Sequence, residues 1–177
     1  MKRISLLLFG VICVIRGPGL IAQLATGPLR SDTMHLTVLT SLSDADIAPG
    51  KRISLAFEVT PKKLMHVYAP GKHDYQVIGV KLDPQPWFRQ QPTTYPPSEL
   101  YHFKELNEKV ETYAKPFKLV QDIAILATAD ARKVLAASPT VKLSGRLEYQ
   151  ACDDKVCYAP TRVPVSFTLN VRSLNKK

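Results

Sequence analysis

The fold of this chain is decided by residues 141–171, VKLSGRLEYQACDDKVCYAPTRVPVSFTLNV. Apolar and polar side chains alternate from Val141 to Ala151, and they alternate again from Val163 to Val171. A period of two is typical of half-buried strands, because successive side chains point to opposite faces. The stretch therefore predicts a β-hairpin with Cys152 and Cys157 at the two ends of its polar tip.

The alternation also assigns a face to one cysteine. Cys152 falls on the same side as Arg146 and Glu148, the polar side of its strand, whereas Pro160 and Pro164 are predicted to interrupt the register of the return strand and leave Cys157 unassigned. Opposed residues at the mouth of a hairpin have Cα atoms about 4.5–5.5 Å apart, which suits a disulfide. The loop is short, so a bridge would add only about 2 kcal/mol of stability.

The spacing of the pair leaves its chemistry open. Cys-x4-Cys is neither the Cys-x2-Cys of thioredoxin-like sites nor the Cys-x2-Cys-His of haem attachment. A structural zinc site needs four ligands, and the four histidines are not paired at ligand spacing, so we predict no metal. On composition alone an inert disulfide is favoured over a redox-active one. The chain has no Gly-x-Ser-x-Gly, His-Glu-x-x-His or phosphate loop, which argues against an ordinary hydrolase or nucleotide enzyme.

A family resemblance narrows these alternatives. Residues 149–160, YQACDDKVCYAP, followed by VPV at 163–165, resemble the active-site hairpin of the amino-terminal periplasmic domain of the thiol:disulfide interchange protein DsbD. HVYAPG at 66–71 and residues 95–113 resemble the family's segment after an early strand and the stretch that carries its cap loop. The resemblance covers roughly residues 34–171. It implies an immunoglobulin-like sandwich with a redox-active Cys152–Cys157 pair and no small-molecule cofactor.

The resemblance also implies roles for single residues. Cys157 matches the cysteine that engages partners, which leaves Cys152 as the resolving thiol. The remaining residues implied at the site are lining or cap positions: His66, Tyr68, Phe103, Glu105, Leu106 and Tyr158. Leu106 stands where the family has its cap aromatic residue, a role that Phe103 could take over, and Lys104 stands where a second acidic residue would be. The implied partners are thioredoxin-like periplasmic proteins and a membrane thiol electron carrier.

Residues 1–25 are predicted to be a signal peptide. Lys2 and Arg3 precede an apolar run at 4–15, and a Gly-Pro-Gly break follows at 17–19. Twelve apolar residues are fewer than the ~20 that a membrane span needs, although an uncleaved anchor is the alternative. Cleavage would discard Cys13 and deliver residues 26–177, as one domain with two cysteines, to the oxidising periplasm.

The rest of the composition predicts a monomeric all-β domain. The 177 residues carry a formal net charge of +9, but their Lys and Arg residues are scattered, which argues against nucleic-acid binding. Alternating stretches and turn residues predict seven or eight strands, as in an antiparallel immunoglobulin-like β-sandwich. Residues 83–105 carry five prolines and are predicted to be an ordered loop without regular structure, and residues 131–137 a short helix.

Two functions follow from the sequence. In the first, the domain exchanges thiols and disulfides through Cys152 and Cys157, with Asp153 and Asp154 opposing thiolate formation and Lys155 favouring it. In the alternative, the domain is a non-catalytic immunoglobulin-like binding module whose disulfide is structural and whose edge strands dock a partner.

Overall fold

The computed structural model describes residues 29–103 and 107–172. The elements are β1 (Leu29–Asp32), β2 (Leu36–Leu42), β3 (Asp46–Ile47), β4 (Arg52–Pro61), β5 (His66–Tyr68), β6 (Gly79–Leu82), β7 (Phe88–Thr94), β8 (Glu99–Phe103), β9 (Glu108–Tyr113), β10 (Phe117–Ile125), α1 (Ala129–Ala136), β11 (Thr140–Tyr149), β12 (Ala151–Cys152) and β13 (Thr161–Val171). The described ranges contain thirteen strands, more than the seven or eight predicted, because two lie in the proline-rich segment and several others have only two to four residues, too few to show alternation.

Two sheets form the body of the domain. One has the strand order β1-β2-β4-β10-β7 and the other β3-β13-β11-β6, and only the two-residue pairing of β3 with β13 is parallel within the described strands. Alternate residues of both sheets are buried in one core, in which Phe57 of β4 meets Phe167 of β13 edge to face at 6.3 Å. The predicted antiparallel immunoglobulin-like sandwich is confirmed.

A third, smaller sheet covers the tip of the long hairpin. Its order is β12-β5-β9-β8, and it has a separate buried cluster of Tyr68, Phe103, Val110 and Cys152, against which Tyr75 and Tyr101 pack. We call these six residues the aromatic cluster. The cysteine-bearing tip therefore lies beside the main core but is buried by different side chains.

The predicted hairpin is confirmed. Strands β11 and β13 pair without a break from Thr140↔Asn170 to Tyr149↔Thr161. The prediction that Pro164 interrupts this register is wrong, since Pro164 pairs with Arg146 inside the ladder. Strand β3 reaches β13 only at its far end, so among the described strands the outer side of β13 has no neighbour at Pro164, and a proline is tolerated there.

The prediction of a loop without regular structure over residues 83–105 is wrong. The segment contains β7 and β8, and Pro92 lies inside β7. Strand β7 is at the edge of the five-stranded sheet, and its ladder with β10 shifts register between Gln121 and Ile123, opposite Pro92. Edge strands and bulges are where a sheet accommodates proline, so the proline count did not exclude strands.

The predicted short helix is confirmed as α1, which the side chain of Thr128 caps. The signal peptide proposed for residues 1–25 lies outside the described residues, as do Lys104, Glu105 and Leu106. Across residues 29–103 and 107–172, no helix combines the length and apolar character that membrane crossing requires.

Candidate functional site

The two cysteines face each other across the hairpin tip and form a disulfide, with Cα atoms 4.1 Å apart. The tight turn between them is held by Asp153. Its carboxylate accepts hydrogen bonds from the backbone N–H groups of Lys155 at 2.8 Å and Val156 at 2.7 Å. These N–H groups lower the pKa of Asp153, so the carboxylate is ionised and stabilises the turn.

The two sulfurs differ in their access to solvent. Cys157 is exposed, whereas Cys152 is completely buried in the aromatic cluster. Alternation predicted that Cys152 lies on the polar face of its strand, and the implied exposure is wrong because the residue is buried. After Gln150 the chain leaves β13 and pairs as β12 with β5, and the third sheet covers the side that is polar in β11.

Tyr68 contacts both members of the disulfide. Its hydroxyl lies 2.8 Å from the Sγ of Cys152 and 3.3 Å from the Sγ of Cys157. Burial raises the pKa of the Tyr68 phenol, so the hydroxyl keeps its proton and can donate it to sulfur. The Tyr68 ring stacks on Tyr75 at 4.2 Å, and Tyr75 donates a hydrogen bond to Glu108 at 2.8 Å.

His66 lies directly opposite Cys152 in the ladder between β5 and β12. The residue is 2% exposed, and its ring stacks on Tyr101 at 4.5 Å and tilts against Phe103 at 5.2 Å. Burial lowers the pKa of the imidazole, and its Nε2 has no hydrogen-bond partner among the described residues. His66 is therefore a neutral, buried imidazole on the strand directly opposite the buried Cys152.

Tyr158 lies on the solvent side of the site. Its hydroxyl donates to Asp153 at 3.0 Å, and its ring tilts against His35 at 4.5 Å. The other acidic residue of the turn, Asp154, accepts a hydrogen bond from the Tyr101 hydroxyl at 2.6 Å. Both carboxylates thus stabilise the tip.

The structure brings together most of the residues that the sequence pointed to. Cys152, His66, Tyr68 and Phe103 are buried beside one another, with Cys157 at the rim. Glu105 and Leu106 lie outside the described residues, so their roles stay predictions. Within the described part of the chain, no group of three or more His, Cys, Asp or Glu side chains could hold a metal ion.

Sequence reasoning missed Tyr75 and Tyr101. Tyr101 lies two residues before Phe103 in β8, so alternation would have placed the two on one face if this segment had been recognised as a strand. Tyr75 lies outside the strands and carries no periodic pattern, so the sequence alone gives it no position.

Fold and site together define a β-sandwich domain that carries a cysteine pair on a hairpin tip beneath aromatic side chains. The chain belongs to the family of the thiol:disulfide interchange protein DsbD, N-terminal, which matches residues 39–168. The family resemblance noted in the sequence is thereby confirmed.

The fold is similar to that of a solved periplasmic domain. The N-terminal periplasmic domain of ScsB from Proteus mirabilis matches with a TM-score of 0.53 and 15% identity, over 82% of this chain and 50% of that one. This chain thus spans about half the length of that structure. The yeast GGA1 GAE domain matches with a TM-score of 0.42 and 8% identity, over 80% and 98% of the two chains. No curated protein sequence matches the chain.

The Tyr68 hydroxyl gives a first prediction. Reduction creates thiols or thiolates that accept its hydrogen bond better than a disulfide does, so Tyr68→Phe should make the reduction potential of the pair more negative. A lost hydrogen bond of about 1–3 kcal/mol corresponds to a shift of roughly 20–60 mV. Equilibration with glutathione measures the shift, and Tyr113→Phe, which removes a hydroxyl bonded to the Pro96 carbonyl instead of to sulfur, is the control. An unchanged or less negative potential in Tyr68→Phe would contradict the prediction.

Proposed function

We propose that the domain passes reducing equivalents from a membrane or thioredoxin-like donor to periplasmic disulfide substrates through Cys152 and Cys157. The observation that carries this proposal is the unequal exposure of the two cysteines, since Cys157 is exposed and Cys152 is buried beneath the Tyr68 hydroxyl. We further propose that residues 1–25 direct export and are removed, and that the mature domain is monomeric.

In this proposal each cysteine has one step. A donor thiolate attacks the exposed Sγ of Cys157, the disulfide bond breaks, and Cys152 leaves with the electron pair as a thiolate that accepts a hydrogen bond from Tyr68. A second donor thiol then displaces Cys157, which completes the reduction of the pair and leaves the donor oxidised. In the forward transfer, the Cys157 thiolate attacks a substrate disulfide, and Cys152 resolves the mixed disulfide by re-forming its bond to Cys157.

One observation favours the alternative binding module. Cys152 is completely buried, as cysteines of inert disulfides are, and the turn that it closes is pinned by Asp153. A structural bridge would serve such a module by fixing the tip for recognition. The two functions differ in how readily the bridge is reduced and in what its loss does to the fold.

The reduction potential distinguishes them. We expect about −180 to −270 mV, because the Asp153 and Asp154 carboxylates disfavour thiolates while the Tyr68 hydroxyl favours them. The reduced protein should stay folded, since the main core excludes the cysteines and the short bridge adds only about 2 kcal/mol. Glutathione and dithiothreitol titrations read by alkylation, with thermal melts of both redox forms, provide the measurement. A potential below about −300 mV, or a reduced form unfolded at room temperature, would favour the binding module.

A further inference from the structure

The resolving step of the proposed function raises a problem of proton transfer. Only a thiolate attacks a disulfide, so Cys152 must lose its proton before it resolves a mixed disulfide on Cys157. Cys152 is completely buried among aromatic side chains, and such surroundings disfavour the thiolate. A proton acceptor inside the site would remove this obstacle.

Three other titratable groups around Cys152 are already hydrogen-bonded. The Asp153 carboxylate accepts hydrogen bonds from two backbone N–H groups and from the Tyr158 hydroxyl. Asp154 is exposed and accepts the Tyr101 hydroxyl. The Tyr68 phenol holds its proton and acts as a donor. None of these three groups offers a free acceptor to the buried thiol, and His73, whose Nδ1 is also unpartnered in the described chain, packs on Tyr68 and Tyr75 and does not oppose Cys152 in the ladder.

His66 offers one. Directly opposed residues of an antiparallel pair project to the same face with Cβ atoms about 4.5–5.5 Å apart, and His66 opposes Cys152. Its Nε2 is buried and has no hydrogen-bond partner in the described chain, an arrangement that is costly unless another state supplies a donor. Reduction supplies that donor, because it converts the Cys152 sulfur into an S–H group.

We propose that His66 is the general base of the resolving step, a role that rests on the proposed exchange function. The proton of the Cys152 thiol passes to Nε2 of His66, and the resulting thiolate attacks the Sγ of Cys157. The bond between Cys152 and Cys157 forms as the bond between Cys157 and the partner sulfur breaks. The partner leaves with the electron pair as a thiolate and takes the proton from the His66 imidazolium or from water, so the pair is oxidised and the partner is reduced.

The surroundings of His66 suit a base that works near neutral pH. Burial in the aromatic cluster keeps the imidazole neutral, so its acceptor is available. The groups that face it are the phenols of Tyr68 and Tyr101 and, from the turn, the carboxylates of Asp153 and Asp154. The two carboxylates stabilise the imidazolium that forms when the proton arrives.

Stopped-flow oxidation of the reduced protein by Ellman's reagent tests the proposal, because it releases two chromophores in sequence. The first release reports attack by Cys157 and the second reports resolution by Cys152. With His66 as base, the second rate should be nearly flat between about pH 6.5 and 8, because the imidazole is already neutral there. In His66→Phe it should rise about tenfold per pH unit with the thiolate fraction, and it should be at least about tenfold slower near pH 7.

His35→Phe is the matched control. His35 is a second buried histidine with an unpartnered Nε2, but it contacts Tyr149 and Tyr158 and does not oppose Cys152. This variant should keep the flat profile. Thermal melts verify that each variant is folded, and His66→Gln, which should also show the steep profile, replaces His66→Phe if the latter does not fold.

The outcomes separate the two proposals. A flat second rate in a folded His66 variant would overturn the role of His66 while leaving exchange intact, and it would direct attention to Glu105. A second release in the unaltered protein that is no faster than in an unstructured peptide with the same two cysteines would overturn the exchange function itself. A steep profile in the His66 variants, together with a flat one in His35→Phe, supports both.

Discussion

Cys157→Ser abolishes exchange with a disulfide partner, whereas Cys152→Ser leaves the partner trapped on Cys157; this is the result that we expect from the site. Cys157 is exposed, so it is the cysteine that a partner sulfur can reach. Cys152 is fully buried under Tyr68 and cannot be reached by another protein. Without Cys157 no mixed disulfide forms, and without Cys152 none is resolved.

Non-reducing gels with a thioredoxin-like partner disulfide measure this result. We expect a mixed disulfide with Cys152→Ser that disappears on reduction, and none with Cys157→Ser. The double variant, which lacks both thiols, is the control for non-covalent association. A mixed disulfide that accumulates with Cys157→Ser would reverse the two roles.

The second large effect concerns stability. Glu148 is 7% exposed by its side chain and binds three cations, with Lys81 and Arg146 each at 2.7 Å and Arg162 at 3.2 Å. Lys81 and then Arg146 lower the pKa of Glu148 to about 2. Glu148→Gln should reduce the free energy of unfolding at neutral pH by about 2 kcal/mol, which is moderate because the cations regain water.

The effect should depend on pH in a defined direction. A carboxyl whose pKa is lowered by folding contributes stability above its unfolded value of 4.5, and it loses that contribution as the pH falls towards 2. Urea unfolding of Glu148→Gln should therefore differ from the unaltered protein at pH 7 and approach it in acid. Glu58→Gln is the control, since its pair with Lys118 at 3.9 Å is exposed and should contribute less than about 1 kcal/mol. A difference that persisted unchanged in acid would argue against this account of Glu148.

The sequence predicted the parts of the fold in which burial alternates regularly. In β11 and β13, apolar side chains alternate along ten paired positions, so strand type, pairing and hairpin were all accessible from the pattern. In the third sheet, the sequence indicated a short strand at residues 64–68, which the structure has as β5, whereas β8 lies in the proline-rich segment and β12 has only two residues. The pairing of these strands into the sheet that builds the site was therefore not accessible from periodicity.

The environment of Cys152 shows the same limit. The alternation along the strand correctly placed Cys152 and Ala151 on different faces, since the two residues join different buried clusters. It could not show that both faces are covered. That covering depends on contacts between residues far apart in sequence, such as Cys152 with Tyr68 and His66 with Tyr101. The resemblance to a known family supplied the cysteine pair and its neighbours, whereas Tyr75 and Tyr101 required the structure.

The proline in β7 bears on how readily the protein aggregates at high concentration. An edge strand exposes unpaired backbone groups that can template a foreign strand and start aggregation. Pro92 removes one donor from that edge, and the bulge opposite Asp122 bends the strand away from the flat shape that stacking requires. The residue that made this segment look unlike a strand is thus one that protects the protein from cross-β assembly with its own copies.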